Sequence, residues 1–426
     1  MGGKAAIIVV IGFMVLLGYV SRDITVVASR AQGNMSTYAA AAESHNLAIT
    51  GANVGLAKLY QDTSWRGTRT QTPSFSPNGS FTYTVFNGAN GRPVLRSCSM
   101  IEGPFETIRD TVEVLFGAQT SQSFSLFFWM TNFEGNVFWI TKDTIWGRVH
   151  SNGALHINGS PVFMQKATTS KGFDPPKVGV GTNKAIFKDG YETGIAPVQF
   201  PTDLSQLLSA STSGGRKYTG DIYVTLSPGT TADNDGKAYV RSGNTSSGAI
   251  IDSIDLSDPS FNGVLLGTGR VNVEGKLDGR LSISSQTNVW IQNDILYERD
   301  PRAGLSNDLL GLIAEKNVII ADNAANNSDC EIHASIFCRD GSFSAENYTS
   351  RPVGGELRIV GSIVQDERGA VGTFSGSKLK SGFSKRYRYD DRLSDNTYRP
   401  PCYPGFFTTT FAINSWWESV HIPKFK

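Results

Sequence analysis

The stretch GGKAAIIVVIGFMVLLGYVSRDITVV, residues 2–27, decides how the rest of the chain is read. Lys4 is its first charge, an unbroken apolar run follows over residues 5–20, and then come Arg22 and Asp23. As helix the run is roughly 24 Å long, somewhat short of the ~30 Å hydrocarbon core of a bilayer. A removable export signal would end near a cut between small residues, for which ASRA (residues 28–31) is the candidate. That candidate lies well beyond the apolar core, and the helical signal runs on past it. Residues 23–62 contain no proline, and Ile49, Ala52, Leu56, Leu59 and Tyr60 fall on one face at helical spacing. Small residues at 39–42, Ala48, Gly51 and Gly55 would let another helix or a sheet approach closely. The expectation is one continuous helix to about Asp62, apolar at its start and amphipathic later.

Composition bounds the remainder. The chain has 426 residues, with 45 Gly, 17 Pro and only 18% charged residues, which favours turn-rich β structure and leaves room for two or three domains. A net charge of +1 carries no electrostatic footprint for nucleic acid. Basic residues cluster in SKRYRYDDR (residues 384–392), where acids interrupt them.

Residues 79–116 alternate at Phe81, Tyr83 and Val85, and again at Ile108, Val112 and Val114, as strands do. From about residue 117 short apolar strands are separated by Gly, Asn, Asp and Ser. GRVNVEG, GRLSISS and NVWIQND repeat a strand and a turn, with Val271, Val273, Leu281, Ile283, Val289 and Ile291 inward and Asn272, Ser282 and Trp290 outward. Such a pattern predicts an irregular parallel β-helix, a solenoid whose coils bury a common core by stacking. A β-sandwich of the same strands is the alternative. Residues 166–262, low in apolar content, read as an insertion. Residues 384–426, rich in aromatics and proline, read as a wrap over the open end of the solenoid.

The Gly-Gly-Lys leader, apolar stretch and Ala-rich helix resemble the N-terminus of type IV pilins, most nearly the minor pilins and pilus-assembly proteins with large C-terminal domains. The strands of residues 79–116 are similar to those that follow the helix in that family. The resemblance implies processing between Gly3 and Lys4, and a helix packed on an antiparallel sheet. It also implies that the apolar half of the helix lies in the inner membrane or in a filament core. One departure stands out: the glutamate that pilins carry five residues after the processing site is Ile8 here, and no acid precedes Asp23. Some assembly and tip-type minor pilins lack it, so its absence argues against an ordinary shaft subunit. DTIWGRVHSNGALHINGSPVF (residues 143–163), SNDLLGLIAEKNVII (306–320) and GSIVQDERGAVGTF (361–374) resemble a pattern in bacterial exported proteins. Those proteins pair a pilin-like N-terminus with a β-helical domain.

Little in the chain points to catalysis. Polysaccharide chemistry on a solenoid needs two or three carboxylates converging on one groove. Asp294, Asp300, Asp308, Asp340, Asp390 and Asp391 are present, without a recognisable pattern. His150, His156 and His333 lack further ligands for a metal. DNDG (residues 233–236) lacks the acid a calcium loop needs, because Ser242 stands where the glutamate belongs. Cys98, Cys330, Cys338 and Cys402 match no zinc spacing. Cys330 with Cys338 is the disulfide candidate nearest in sequence, and four free, small hydrophobic side chains are the competing reading. Trp129, Trp139, Trp146, Trp290, Trp416 and Trp417, with Tyr387 and Tyr389, are candidates for core or for a ligand surface, Trp416 and Trp417 foremost for the latter.

Together these readings describe a mainly β chain with one long N-terminal α-helix. They divide it into a membrane or filament helix (1–62), pilin-like strands (63–116), a solenoid (117–383) and a terminal wrap (384–426). The expected role is a non-enzymatic minor or accessory component of a type IV pilus or related secretion filament, in a bacterial inner membrane and then at the cell surface. Its partners would be other pilins through the helix, and a surface glycan or protein through the solenoid. No cofactor and no nucleic acid enter this reading. A membrane-tethered glycan-binding protein is the first alternative, and a β-helical polysaccharide-processing enzyme the second.

Overall fold

The computed structural model describes residues 2–62, 65–88, 92–103, 106–116, 120–229, 235–304, 306–375, 378–408 and 413–419. They form two compact units, Met1–Thr120 with Thr408–Lys426, and Ser121–Phe407. The expected boundary at 384 is therefore corrected. Residues 378–389 form a strand of the second unit, whereas Ile413–Ser419 is a strand of the first.

In the first unit, helix α1 (Gly2–Gln61) is unbroken over 60 residues. Thr37, Ala41, Ser44, Leu47, Ala48, Gly51, Ala52, Gly55 and Leu59 are buried, a stripe advancing by three or four residues as one helix face must. The stripe packs on an antiparallel sheet of β1 (Gly67–Gln71), β2 (Gly79–Asn87), β3 (Pro93–Glu102) and β5 (Thr111–Phe116), with β4 (Thr107–Ile108) paired to β3. The strand Ile413–Ser419 extends the sheet beyond β5. Phe81, Tyr83 and Val85 alternate inward on β2, opposite Leu47, Ala48 and Ala52 of the helix. Close approach explains two helical glycines. A Cβ on Gly51 would stand 2.3 Å from Ser97 Oγ, and one on Gly55 2.5 Å from Leu95 Cδ1. Glycine costs a helix about 1 kcal/mol relative to alanine, less than the ~1.5–3 kcal/mol that seating one side chain such as Phe81 or Leu95 contributes.

In the second unit, successive passes of the chain lie on one another in parallel. Leu265 stands beside Arg216, Ile283 beside Leu265, Leu312 beside Ile283, Ile336 beside Leu312 and Ile363 beside Ile336. These aliphatic side chains form one inward ladder within the main core of the unit. A second ladder runs through Ile222, Val271, Val289, Val318 and Phe343. Each pass buries its inner face only because a neighbour covers it, as expected for a stacked-coil fold. Antiparallel pairing, which a sandwich would need throughout, is seen where Lys237–Ser242 pairs with Ile222–Ser227 and with Ile250–Asp255, and where Gly372–Ser375 meets Lys378–Tyr389.

The order of coils in space differs from their order in sequence. Ile363 stands beside Trp129, and from Trp129 the ladder continues through Val149, Ala167 and Tyr191. The chain thus enters the stack in its middle, runs to one end, crosses to the other end, and coils back to where it began. At this seam one coil is composite. Glu356 on the strand Val353–Glu367 pairs with Ser384, and Ile363 on the same strand pairs with Trp129. One rung therefore combines residues 382–389 with residues 129–133. Buried contacts fasten it: Tyr389 Oη donates to Ser125 O at 3.0 Å, and Ile363 N–H to Phe128 O at 2.8 Å.

Residues 166–262 are consequently not one insertion. Ala167–Thr169 and Tyr191–Thr193 belong to the stack, as do Arg216–Tyr218 and Ile222–Ser227, while the two strands of residues 237–255 hang from it as an antiparallel flap. Asp233 and Asn234 lie outside the described residues. The C-terminal segment covers a side of the coils rather than an end. Tyr403 Oη donates to Ile336 O at 3.0 Å, and Ser282 Oγ to Pro401 O at 2.5 Å. With helix α2 (Ser205–Thr212), this segment buries a second core of Leu207, Leu266, Ile313, Phe337, Tyr403 and Phe406. That covering corrects the outward assignment of Ser282, and Asn272, likewise assigned outward, is buried with its amide donating to Ile222 O and Asn244 Oδ1. The covering also explains why residues 309–314, LLGLIA, are buried without alternation, since both faces of that strand are covered.

Candidate functional site

Among the described residues nothing packs over the first half of α1. Large apolar side chains from Ile7 to Val27 are exposed on every side, Ile7 at 61% and Phe13 at 63%. Five consecutive residues, Ile7 to Ile11, point in all directions around the axis, so no single neighbour could bury them. The segment is long and apolar enough to cross a membrane, with a mean hydropathy of 2.2. Between Lys4 and Arg22 the helix rises about 27 Å without a charge, close to the thickness of a hydrocarbon core. Gly3 and Lys4 lie in the first turns of this helix, exposed, with nothing within 4 Å of a Cβ placed on Gly3. Lower on α1, His45 lies 3.7 Å from Asp110, just before β5, and 3.3 Å from Glu418 of the strand Ile413–Ser419, at that edge of the sheet.

Of the two tryptophans expected at a ligand surface, one is committed elsewhere. Trp416 packs on the helix–sheet core, and its Nε1–H donates to Glu418 Oε1 at 2.5 Å. Trp417, the next residue on an edge strand, points away and is 57% exposed.

The expected disulfide is corrected. Cys330 and Cys338 begin and end one nine-residue strand, roughly 26 Å apart in extended chain, whereas bridged cysteines need Cα atoms within about 7 Å. Both are free and buried, and burial pushes their thiols up to about 12. Cys98 and Cys402 are free as well.

The candidate carboxylates do not converge on a groove. Asp308 accepts from Gly279 N–H at 2.8 Å and Arg299 N–H at 3.1 Å, and Asp294 accepts from Glu331 N–H at 2.8 Å. Asp300 pairs with Arg302, Asp340 lies 3.8 Å from Arg339, and Asp390 pairs with Arg392 at 2.7 Å. Arg392 also donates to Ser306 O and Asp308 O, so Asp308 and Asp390 meet as parts of a structural clamp. Asp391 sits in the first turn of the short helix Asp391–Ser394. His150 is buried between Thr168 and Asn152, and burial holds its imidazole below the usual 6.5. His333 accepts from Tyr297 N–H and faces Glu331. Among the described residues no group of three or more His, Cys, Asp or Glu could hold a metal ion.

A groove at the seam was only half legible in the sequence. Three adjoining recesses of about 510, 460 and 490 Å³ share Lys385, and Arg386 and Lys142 line two of them. The third is bordered by Lys142, Thr144, Trp146, Lys385, Arg386, Tyr387 and Arg388, with no acid. Lys385 lies 3.4 Å from Asp143 and 5.7 Å from the Trp139 ring, and burial lowers its ammonium below the ordinary lysine value. Arg386 Nε lies 3.0 Å from Glu356. Trp129 and Trp139 are buried beneath, in edge contact at 5.1 Å, with Arg368 over both rings. The basic run of residues 384–392 and Trp146 were visible signals, but Lys142, brought opposite them by the coils, was not.

No protein-family model matches the sequence, and no curated protein matches it either. Among solved structures, the competence-associated pilin ComZ from Thermus thermophilus is similar at 13% identity, covering 90% of this chain and 98% of that chain, with a TM-score of 0.37.

Proposed function

We propose that this chain is a minor or accessory subunit of a type IV pilus or related secretion filament, carried by α1 and displaying the second unit, a β-solenoid, for adhesion or assembly. The observation that carries the proposal is the division of α1. Its second half is clamped on its own sheet, while its first half is apolar on all sides and uncovered. Ten or more large apolar side chains left in water would each forgo about 1.5–3 kcal/mol, so this half needs lipid or several neighbouring helices around it. In this reading the helix sits first in the inner membrane and then among sister helices, after processing between Gly3 and Lys4. The chain performs no catalysis, and recognition falls to surfaces of the second unit. Ile8, where pilins of the resembling family carry glutamate, supports a tip or accessory position over a shaft position.

Mass spectrometry of the mature N-terminus tests the proposal together with immunogold labelling of sheared surface filaments. A chain beginning at Lys4 and found on filaments is expected. A mature chain beginning beyond residue 31 would refute the proposal, and so would a membrane-bound chain absent from every filament.

A further inference from the structure

We propose that the seam groove of the second unit binds a chain of carboxylated sugars, with Trp146 as the stacking platform and Lys142 and Arg388 as the carboxylate contacts. The site is independent of filament assembly. Trp146 is 50% exposed and stacks on no other ring among the described residues, so its face is free for the apolar face of a pyranose. Lys142 and Arg388 border the same recess as Trp146, and neither has a carboxylate partner among the described residues. Lys142 has φ 82, a left-handed conformation that glycine adopts without cost and lysine does not. Residues held in such strained backbone concentrate at ligand sites, and this one places an exposed cation on the border of the recess.

The charge pattern selects the ligand. Lys385 and Arg386 are engaged by Asp143 and Glu356, and Asp143 borders the recess adjoining that of Trp146, so the groove offers an acceptor for hydroxyls as well as donors for carboxylates. A nucleic acid would set closely spaced phosphates against Asp143 and would call for an unbroken basic track, which a chain of net charge +1 with an acid in the groove lacks. A sugar acid carries one carboxylate per ring with hydroxyls between, matching an aromatic platform flanked by separated cations. Three recesses joined at Lys385 suit a chain of rings better than a single small ion.

The test is calorimetric titration of the full-length chain in detergent micelles with tetragalacturonate, its methyl ester and a single-stranded oligodeoxynucleotide. Tetragalacturonate is expected to bind, with the neutral ester at least roughly tenfold weaker. Lys142→Gly, which relieves the strained backbone and so keeps the fold, and Arg388→Gln should each weaken binding roughly tenfold. Trp146→Ala should remove it. If Trp146→Ala lowers the melting temperature, the Lys142 and Arg388 variants decide the matter. Absence of binding at millimolar sugar, equal binding of acid and ester, tighter binding of DNA, or wild-type affinity in both charge variants would each overturn the assignment.

Discussion

Replacing Arg368 by methionine should loosen the seam at which the coil stack closes. Arg368 and Glu134 are 1% and 0% exposed and 2.7 Å apart, on segments far apart in sequence. Thr131 Oγ1 also donates to Glu134, and the guanidinium lies 3.9 Å from the Trp139 ring and 5.1 Å from the Trp129 ring. Arg368→Met keeps most of the side-chain volume but leaves the Glu134 carboxylate buried without its counter-charge. Removing one partner of such a pair costs about 3–5 kcal/mol, which for a unit of this size lowers the melting temperature by roughly 6–15 °C. The double variant Glu134→Leu/Arg368→Met should cost less than Arg368→Met alone, because no unpaired charge then remains. Scanning calorimetry of the wild type, both single variants and the double variant closes the cycle. A single variant within 1 °C of wild type, or a double variant as costly as the two singles summed, would show that this pair does not hold the seam.

Three further outcomes follow from local structure. Gly51→Ala should destabilise the first unit despite alanine's better helix propensity, because its Cβ meets Ser97 and Phe81, while Gly12→Ala, with nothing within 4 Å, should not; thermal melts of the two variants compare them directly. The imidazole of His150 is depressed by burial, so the unfolded chain takes up its proton first as pH falls; stability attributable to this residue is full above 6.5 and declines below it, and His150→Gln should flatten that part of a melting-temperature profile against pH. Alkylation of the native protein should label Cys98 rapidly and reach Cys330 and Cys338 only on unfolding, with all four thiols titrating in denaturant without reductant; a mass two hydrogens lighter before reduction would contradict the free pair.

The long helix was legible because its information is local. The absence of proline, the apolar run and the three-to-four spacing through Ala48, Ala52 and Leu59 all act within a few residues of chain, and Gly51 and Gly55 announced a close approach without saying to what. Alternation at Phe81–Val85 and at Val271, Val273, Leu281 and Ile283 likewise marked inner faces correctly, because a strand's period is set by its own backbone. Partners were not legible. Asn272 and Ser282 looked outward because nothing nearby in sequence reveals that distant segments cover them, with Ser282 bonded to Pro401 and Asn272 to Asn244. The same limit hid Lys142 opposite the basic strand. It hid as well the pairing of Ile363 with Trp129, which turns a linear run of coils into a stack entered at its middle. Sequence alone determined which residues form helix and strand and which of their faces are apolar. Tertiary structure alone decided which strands meet, since parallel stacking is satisfied by any neighbour of matching face and only packing of the whole chain selects among them.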